Sequence, residues 1–171
     1  DGWLLSGDLS RIVNELVHYV QHDTVLEPGL SELAICIAGR WYEANLEWAG
    51  HALSALRKGV PESVLDDLLA GRRVKGTPEQ ELVYDVCMSM LKDHRVSDEL
   101  YAKAVATFGE RGAMDIIATL GTYTLVSMTL DTFECKTAPK VPSVFKRQAT
   151  ETVPAGEFWA WAASRLEPTA R

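Results

Sequence analysis

The sequence has few of the residues that could cross-link a small domain through disulfides or bind a metal ion in it. It has three cysteines, Cys36, Cys87 and Cys135, and no two of them are close in the chain. An odd, scattered set argues against a disulfide framework and against a CxxC redox or metal motif. No HExxH motif occurs among the four histidines. We therefore expect reduced thiols, no bound metal and a cytoplasmic location.

Positive charge is also scarce. Acidic residues number 24 and basic residues 17, which leaves a formal net charge of −7. No large basic face can form, so we expect no nucleic-acid partner. The longest apolar runs, such as residues 115–130, are broken by Thr, Gly and Ser, so we expect no membrane partner. The chain begins at Asp1 without a basic start or an apolar stretch, so we expect no signal peptide.

What the sequence does contain is helical periodicity. Apolar residues recur at three- and four-residue steps almost throughout, and no alternating segment of useful length predicts a strand. Thr77-Pro78-Glu79-Gln80 has the form of a capping box, and Ser97 suits an N-cap. We predict an all-α domain. The predicted helices span residues 9–20, 30–41, 43–58, 61–71, 78–94, 98–108 and 111–133.

The composition changes near residue 136, where lysines and prolines are interleaved. This pattern predicts an extended arm that ends in a short helix at residues 156–161. Phe158, Trp159 and Trp161 are costly to leave in water. They are expected to dock either on their own domain or on a neighbouring subunit.

One predicted helix carries residues suited to acid–base chemistry. Glu43, Glu47 and His51 are four residues apart, which places them on one helical face. A carboxyl group beside an imidazole can transfer protons near neutral pH, but this spacing also occurs in solvated surface pairs. The nearby Trp41 and Trp48 favour a partly dry pocket over a plain solvated face.

The preceding helix adds two charged candidates. Glu32 is either an acid stabilised by the helix dipole or a second acid of the same site. Arg40 either holds a substrate carboxylate with its forked donors or pairs with Glu43.

Several segments together carry a family resemblance. They are SELAI at 31–35, YEANLEWAGH at 42–51, ALRKGVPE at 55–62, RVSD at 95–98 and GTYTLVSM at 121–128. The set resembles the carboxymuconolactone decarboxylase family, which includes the alkylhydroperoxidase D-like proteins. The resemblance runs from Leu9 to Pro139. It implies an alkylhydroperoxidase D-like helical bundle in residues 1–139, with residues 140–171 as a C-terminal arm outside it.

The resemblance also separates two branches of the family. The peroxide-reducing branch uses a CxxC pair, a nearby Glu and a His four residues after the second Cys. Ala44 and Glu47 stand at the two Cys positions here, while Glu32 and His51 match the other two. Thiol peroxidase activity is therefore not expected. Glu47 and His51 are similar to the Glu-x-x-x-His element of the decarboxylase-like branch, whereas Glu32 departs from the decarboxylases proper.

The resemblance implies a cofactor-free enzyme that decarboxylates a small lactone or unsaturated organic acid. In this interpretation His51 donates a proton, Glu47 orients His51 or shares its proton, and Glu32 assists as a second acid or base. Isomerisation or hydration of a similar molecule needs the same residues and stays open. A non-catalytic oligomeric binding protein is the alternative of another class.

The same interpretation assigns the remaining site and partner expectations. Trp48, Arg40, Tyr123 and Trp41 are the predicted substrate-binding residues. The expected partners are a small-molecule substrate and further copies of the chain, in a dimer, trimer or hexamer.

Overall fold

The structure, a computed structural model, describes residues 6–147 and 149–166 and is all-α over them. Seven helices and no strand occur in these described residues, which confirms the predicted fold class. They are α1 Gly7–His22, α2 Pro28–Trp41, α3 Asn45–Arg57, α4 Glu62–Leu69, α5 Pro78–Asp93, α6 Asp98–Thr132 and α7 Ala155–Leu166.

Helix α2 is the centre of the fold. Every residue from Gly29 to Gly39 is buried, and the helix packs against α3, α4, α5 and α6. Its sequence is apolar on all sides, which is typical of a helix enclosed by others. Pro28 stands in the first turn, and the Glu27 side chain accepts a hydrogen bond from the Gly29 amide. Glu32 is thus carried into the core by an apolar helix.

The predicted helix ends agree with the structure at several points. Thr77 and Gln80 form a reciprocal capping box at the start of α5, and Ser97 caps α6. The sequence predicts one helix that ends before residue 109 and another that begins after it. In the structure α6 breaks at Gly109, whose φ of 73° and ψ of 169° are open almost only to glycine.

The predicted start of the third helix is wrong. Glu43 does not lie on α3 but precedes it, with a φ of 53°. The amide of Glu43 bonds to the Arg40 carbonyl and that of Ala44 to the Gly39 carbonyl. This Schellman pattern ends α2 and turns the chain back so that α3 can pack against it. Glu43 is therefore exposed and does not share a face with Glu47 and His51.

The C-terminal arm docks on its own domain in the described residues. Asn45 holds it with four hydrogen bonds, donating to the carbonyls of Phe145 and Arg147 and accepting from the amides of Val144 and Phe145. Helix α7 is longer than predicted, and Phe158 and Trp159 pack with Phe145 around the buried Trp48 ring. Residues 148 and 167–171 of the predicted arm lie outside the described residues.

Helix α6 is long and apolar enough to cross a membrane by those two criteria alone. Half of its most apolar 18-residue window is buried inside the protein. That burial is what a core helix shows, and α6 packs against α1, α2 and α5.

Candidate active site

The predicted acid–base residues meet where α2 faces α3. Glu32 comes from the early turns of α2, and Glu47 and His51 come from successive turns of α3. His51 Nδ1 lies 2.8 Å from Glu32 Oε2, and His51 Nε2 lies 3.3 Å from Glu47 Oε2. The imidazole is therefore held between two carboxyl groups, one at each ring nitrogen.

The second oxygen of Glu32 is also fully engaged. Lys58 Nζ lies 2.6 Å from Glu32 Oε1, and Ser54 Oγ donates to the same oxygen at 2.8 Å. Glu32 is only 2% exposed, so these contacts replace the water that it has lost. Together they fix which oxygen of Glu32 faces His51.

Helices α1 and α6 close the other side of the imidazole. The Tyr123 ring meets the His51 ring edge-on, with 4.8 Å between the ring centroids. Gln21 Nε2 in turn donates a hydrogen bond to the Tyr123 hydroxyl. The side chain of His51 is 16% exposed, against 9% for Glu47 and 3% for Glu32. His51 is thus the most exposed of the three side chains, although all three are largely enclosed.

The surroundings of Glu32 and His51 keep Glu32 deprotonated and His51 protonated. Burial raises the pKa of Glu32, but the bonds and charge of His51 and the bonds of Lys58 and Ser54 outweigh it and lower the pKa to about 2. Burial lowers the pKa of His51, but its bonds to Glu32 and Glu47 and their charges raise it to about 9. At neutral pH His51 is therefore an imidazolium facing an ionised Glu32.

The buried thiols are poorly suited to redox chemistry. Burial, with the nearby charges of Glu32 and Glu47, raises the pKa of the Cys36 thiol well above its usual range. Burial alone raises the pKa of the Cys87 thiol. The thiolate is the reactive form, so both side chains are held in the unreactive state.

The predicted substrate-binding residues are divided among three places. Tyr123 contacts His51. Trp48 is fully buried beneath the C-terminal arm. Arg40 and Trp41 line a separate cleft at the other end of α2. Arg40 Nη1 is 3.9 Å from Glu43 Oε1, so the predicted pairing of these two is present only as a long contact.

Three participants are missing from the sequence prediction. Ser54 and Lys58 follow His51 by three and seven residues, a spacing that places all three on one helical face. That signal was available in the sequence. Gln21 had no such signal, because it reaches the site only through the packing of α1 against α6.

No protein-family model, no curated protein and no solved structure matches the chain. Within the residues that the structure describes, no group of three or more His, Cys, Asp and Glu side chains is arranged to hold a metal ion. The geometry around His51 is therefore the feature of the chain that bears most directly on its function.

Proposed function

We propose that the chain is an acid–base enzyme of the carboxymuconolactone decarboxylase-like kind, which removes carbon dioxide from a small lactone or unsaturated organic acid without a cofactor. The observation that carries the proposal is the His51 imidazole held between the carboxyl groups of Glu32 and Glu47. The motif resemblance between Leu9 and Pro139 supports the substrate class.

Decarboxylation in this proposal is a proton-balanced step. The bond between the carboxylate carbon and the ring breaks, and its electron pair passes into the unsaturated system as a dienolate. A proton from His51 then forms the new C–H bond on the substrate, and water returns a proton to the His51 imidazole. The contact of His51 Nε2 with Glu47 is 3.3 Å, longer than the 2.8 Å contact of Nδ1 with Glu32, so Nε2 holds the transferable proton.

Glu32 and Glu47 have different roles in this step. Glu32 is anchored by Lys58 and Ser54, so it keeps the imidazole oriented and protonated. Glu47 lies at the transferring nitrogen, where it positions the proton or shares it. The imidazolium charge also stabilises the dienolate as it forms.

The test is turnover of lactone acids of the muconolactone type, first screened by the thermal shift that binding produces. We expect His51→Asn and Glu47→Gln to lower kcat by ~10²–10⁴-fold, the usual contribution of a positioned proton donor. Glu43→Gln is the matched control, because this exposed acid lies on the same segment but outside the site. Full turnover in both site variants would refute the assignments.

The same experiment separates the alternatives. Release of labelled carbon dioxide identifies decarboxylation, whereas a product of unchanged mass identifies an isomerase and a gain of one water identifies a hydratase. A ligand that binds at His51 and is recovered unchanged supports a non-catalytic binding protein. The convergence of Glu32, Glu47 and His51 within hydrogen-bond reach supports the enzymatic alternatives over the binding protein.

Assembly into a homo-oligomer is part of the proposal. Exposed apolar side chains on α1 and α6 support it, and they include Ile12, Leu16, Met114 and Met128. Sedimentation at several concentrations measures the oligomeric state directly.

A further inference from the structure

A cleft lies at the opposite end of α2 from Glu32. Arg40 is eight residues further along the helix than Glu32, which is about 12 Å along the helix axis. The cleft encloses about 350 Å³ between the end of α2, the end of α4 and the side of α5. That volume lies in the range of small-molecule sites.

The lining of this cleft is basic in an acidic protein. The described residues that line it include Arg40, Arg72 and Lys92 but no Asp or Glu, although the whole chain carries a net charge of −7. Arg72 is paired with Asp66 and Asp67. Lys92 forms no ion pair within residues 6–147 and 149–166, and Arg40 has only its long contact with Glu43. Lys92 therefore faces the cleft without a counter-charge in this part of the chain, and Arg40 has one only at 3.9 Å.

Arg40 is held in one position by contacts that leave its outer nitrogens available. Its Nε donates to the Leu69 carbonyl at 2.9 Å, and its guanidinium lies 5.3 Å from the centre of the Phe145 ring. A Cβ on Gly71, whose φ is +73°, would lie 3.2 Å from Arg40 Nη2, so this glycine leaves room for the guanidinium. Neither Nη atom forms a hydrogen bond within the described part of the chain. This is the fork that binds a carboxylate with two parallel bonds.

The walls of the cleft are apolar and partly aromatic. Trp41 is 42% exposed there, and Tyr84, Met88 and Leu68 line the same space. An exposed indole gains free energy when a flat apolar group covers it. The cleft therefore offers a cationic end and an apolar surface beside it.

We propose that this cleft binds a small organic anion with a flat apolar body, an aromatic or unsaturated-ring monocarboxylate. Arg40 and Lys92 hold the carboxylate, and the ring lies against Trp41. The cleft is separate from His51, so this proposal does not depend on the reaction proposed there.

The test is isothermal titration calorimetry of the full chain with 2-naphthoate and with 2-naphthalenemethanol, its uncharged counterpart, at low salt. We expect naphthoate to bind at one site and the alcohol to bind at least about ten-fold more weakly, because it lacks the charge-assisted bonds. Arg40→Gln is expected to weaken naphthoate binding by about ten-fold or more, and Lys92→Gln by a few-fold.

Two control variants keep the result specific. Lys103→Gln removes an exposed positive charge from α6, outside the cleft, and His51→Asn alters the other site; both should leave naphthoate affinity unchanged. Lys92 is exposed, so Lys92→Gln tests the proposal even if Arg40→Gln does not fold. Equal binding of the acid and the alcohol, no binding at millimolar concentration, or unchanged affinity in the two cleft variants would overturn the proposal. Loss of binding in His51→Asn that is still folded would place naphthoate at His51 and overturn the proposal as well.

Discussion

The two ends of α2 carry opposite charges in opposite surroundings. Glu32 near the start is buried, and both its carboxylate oxygens have hydrogen-bond partners. One oxygen contacts His51, and the other contacts Lys58 and Ser54. Arg40 near the end is partly exposed, and its outer nitrogens form no hydrogen bond in the described chain. One helix thus positions a closed polar centre at one end and an open cationic cleft at the other.

This difference in burial changes how strongly the polar groups at each end act on one another. At the closed end, burial opposes ionisation of Glu32 and His51, but the hydrogen bonds and charges that they share outweigh it, so the pKa of Glu32 falls and that of His51 rises. At the open end, solvent weakens the fields and leaves donors available for a ligand. The closed end therefore suits proton transfer and the open end suits recognition of an anion.

The largest expected effect comes from removing the charge at the closed end. Glu32→Gln leaves Lys58 without its ion-pair partner and leaves His51 with Glu47 as its remaining carboxyl group, so we expect a loss of about 3 kcal/mol in the free energy of unfolding. Arg40→Gln loses one hydrogen bond and a ring contact and should cost only about 1 kcal/mol. Urea unfolding of both variants measures the two losses. Equal losses would show that the two ends do not differ in this way.

Much of the closed end was within reach of sequence reasoning. Helical periodicity, the Thr77 capping box and the helical spacing of Glu47 and His51, with Glu32 as a second acid, all predict features that the structure contains. The position of Glu43 before the start of α3 could not be predicted from the sequence. Glu43 adopts a left-handed backbone conformation there, and no glycine marks the position. The contact of Gln21 with Tyr123 needs the packed fold, since residues 102 positions apart share no local periodicity.

The next effect is a dependence of stability on pH that arises from His51 at the closed end. The folded pKa of His51, about 9, lies above its ordinary value of 6.5. Its stabilising contribution is therefore complete below pH 6.5 and is lost as the pH rises to about 9, with a slope of up to about 1.4 kcal/mol per pH unit. Urea unfolding from pH 6 to pH 9 measures this slope. Arg40→Gln should retain it and His51→Asn should remove it; a slope unchanged in His51→Asn would assign it to another group.

A smaller effect should be confined to the open end. Asn45→Asp replaces the amide that donates to the carbonyls of Phe145 and Arg147 with a carboxylate that repels them, at a cost of about 2 kcal/mol. The arm should then loosen and withdraw Phe145 from Arg40. Hydrogen exchange should become faster in residues 143–147 while the amides around His51 keep their protection.

The control for this change is Asn14→Asp, which adds the same charge at an exposed position on α1. It should leave exchange in the arm unchanged. Faster exchange around His51 in Asn45→Asp would mean that the two ends are coupled through α3 rather than independent.

The smallest expected effect concerns the contribution of a single hydrogen bond to the pKa of Glu32. Ser54 donates one of the hydrogen bonds that lower the pKa of Glu32, so Ser54→Ala should raise that pKa and cost about 1 kcal/mol at neutral pH. Because the folded pKa of Glu32 is depressed to about 2, its contribution is present above pH 4.5 and is lost as the pH falls. In Ser54→Ala this loss should begin at a higher pH, which urea unfolding between pH 3 and pH 7 measures. Ser89→Ala, which removes a hydroxyl bonded to the Arg95 carbonyl outside the site, should not move it. If stability begins to fall at the same acidic pH in Ser54→Ala as in the unaltered chain, Lys58 and His51 are the groups that keep Glu32 ionised. Their charges act on Glu32 whether or not the Ser54 hydroxyl is present.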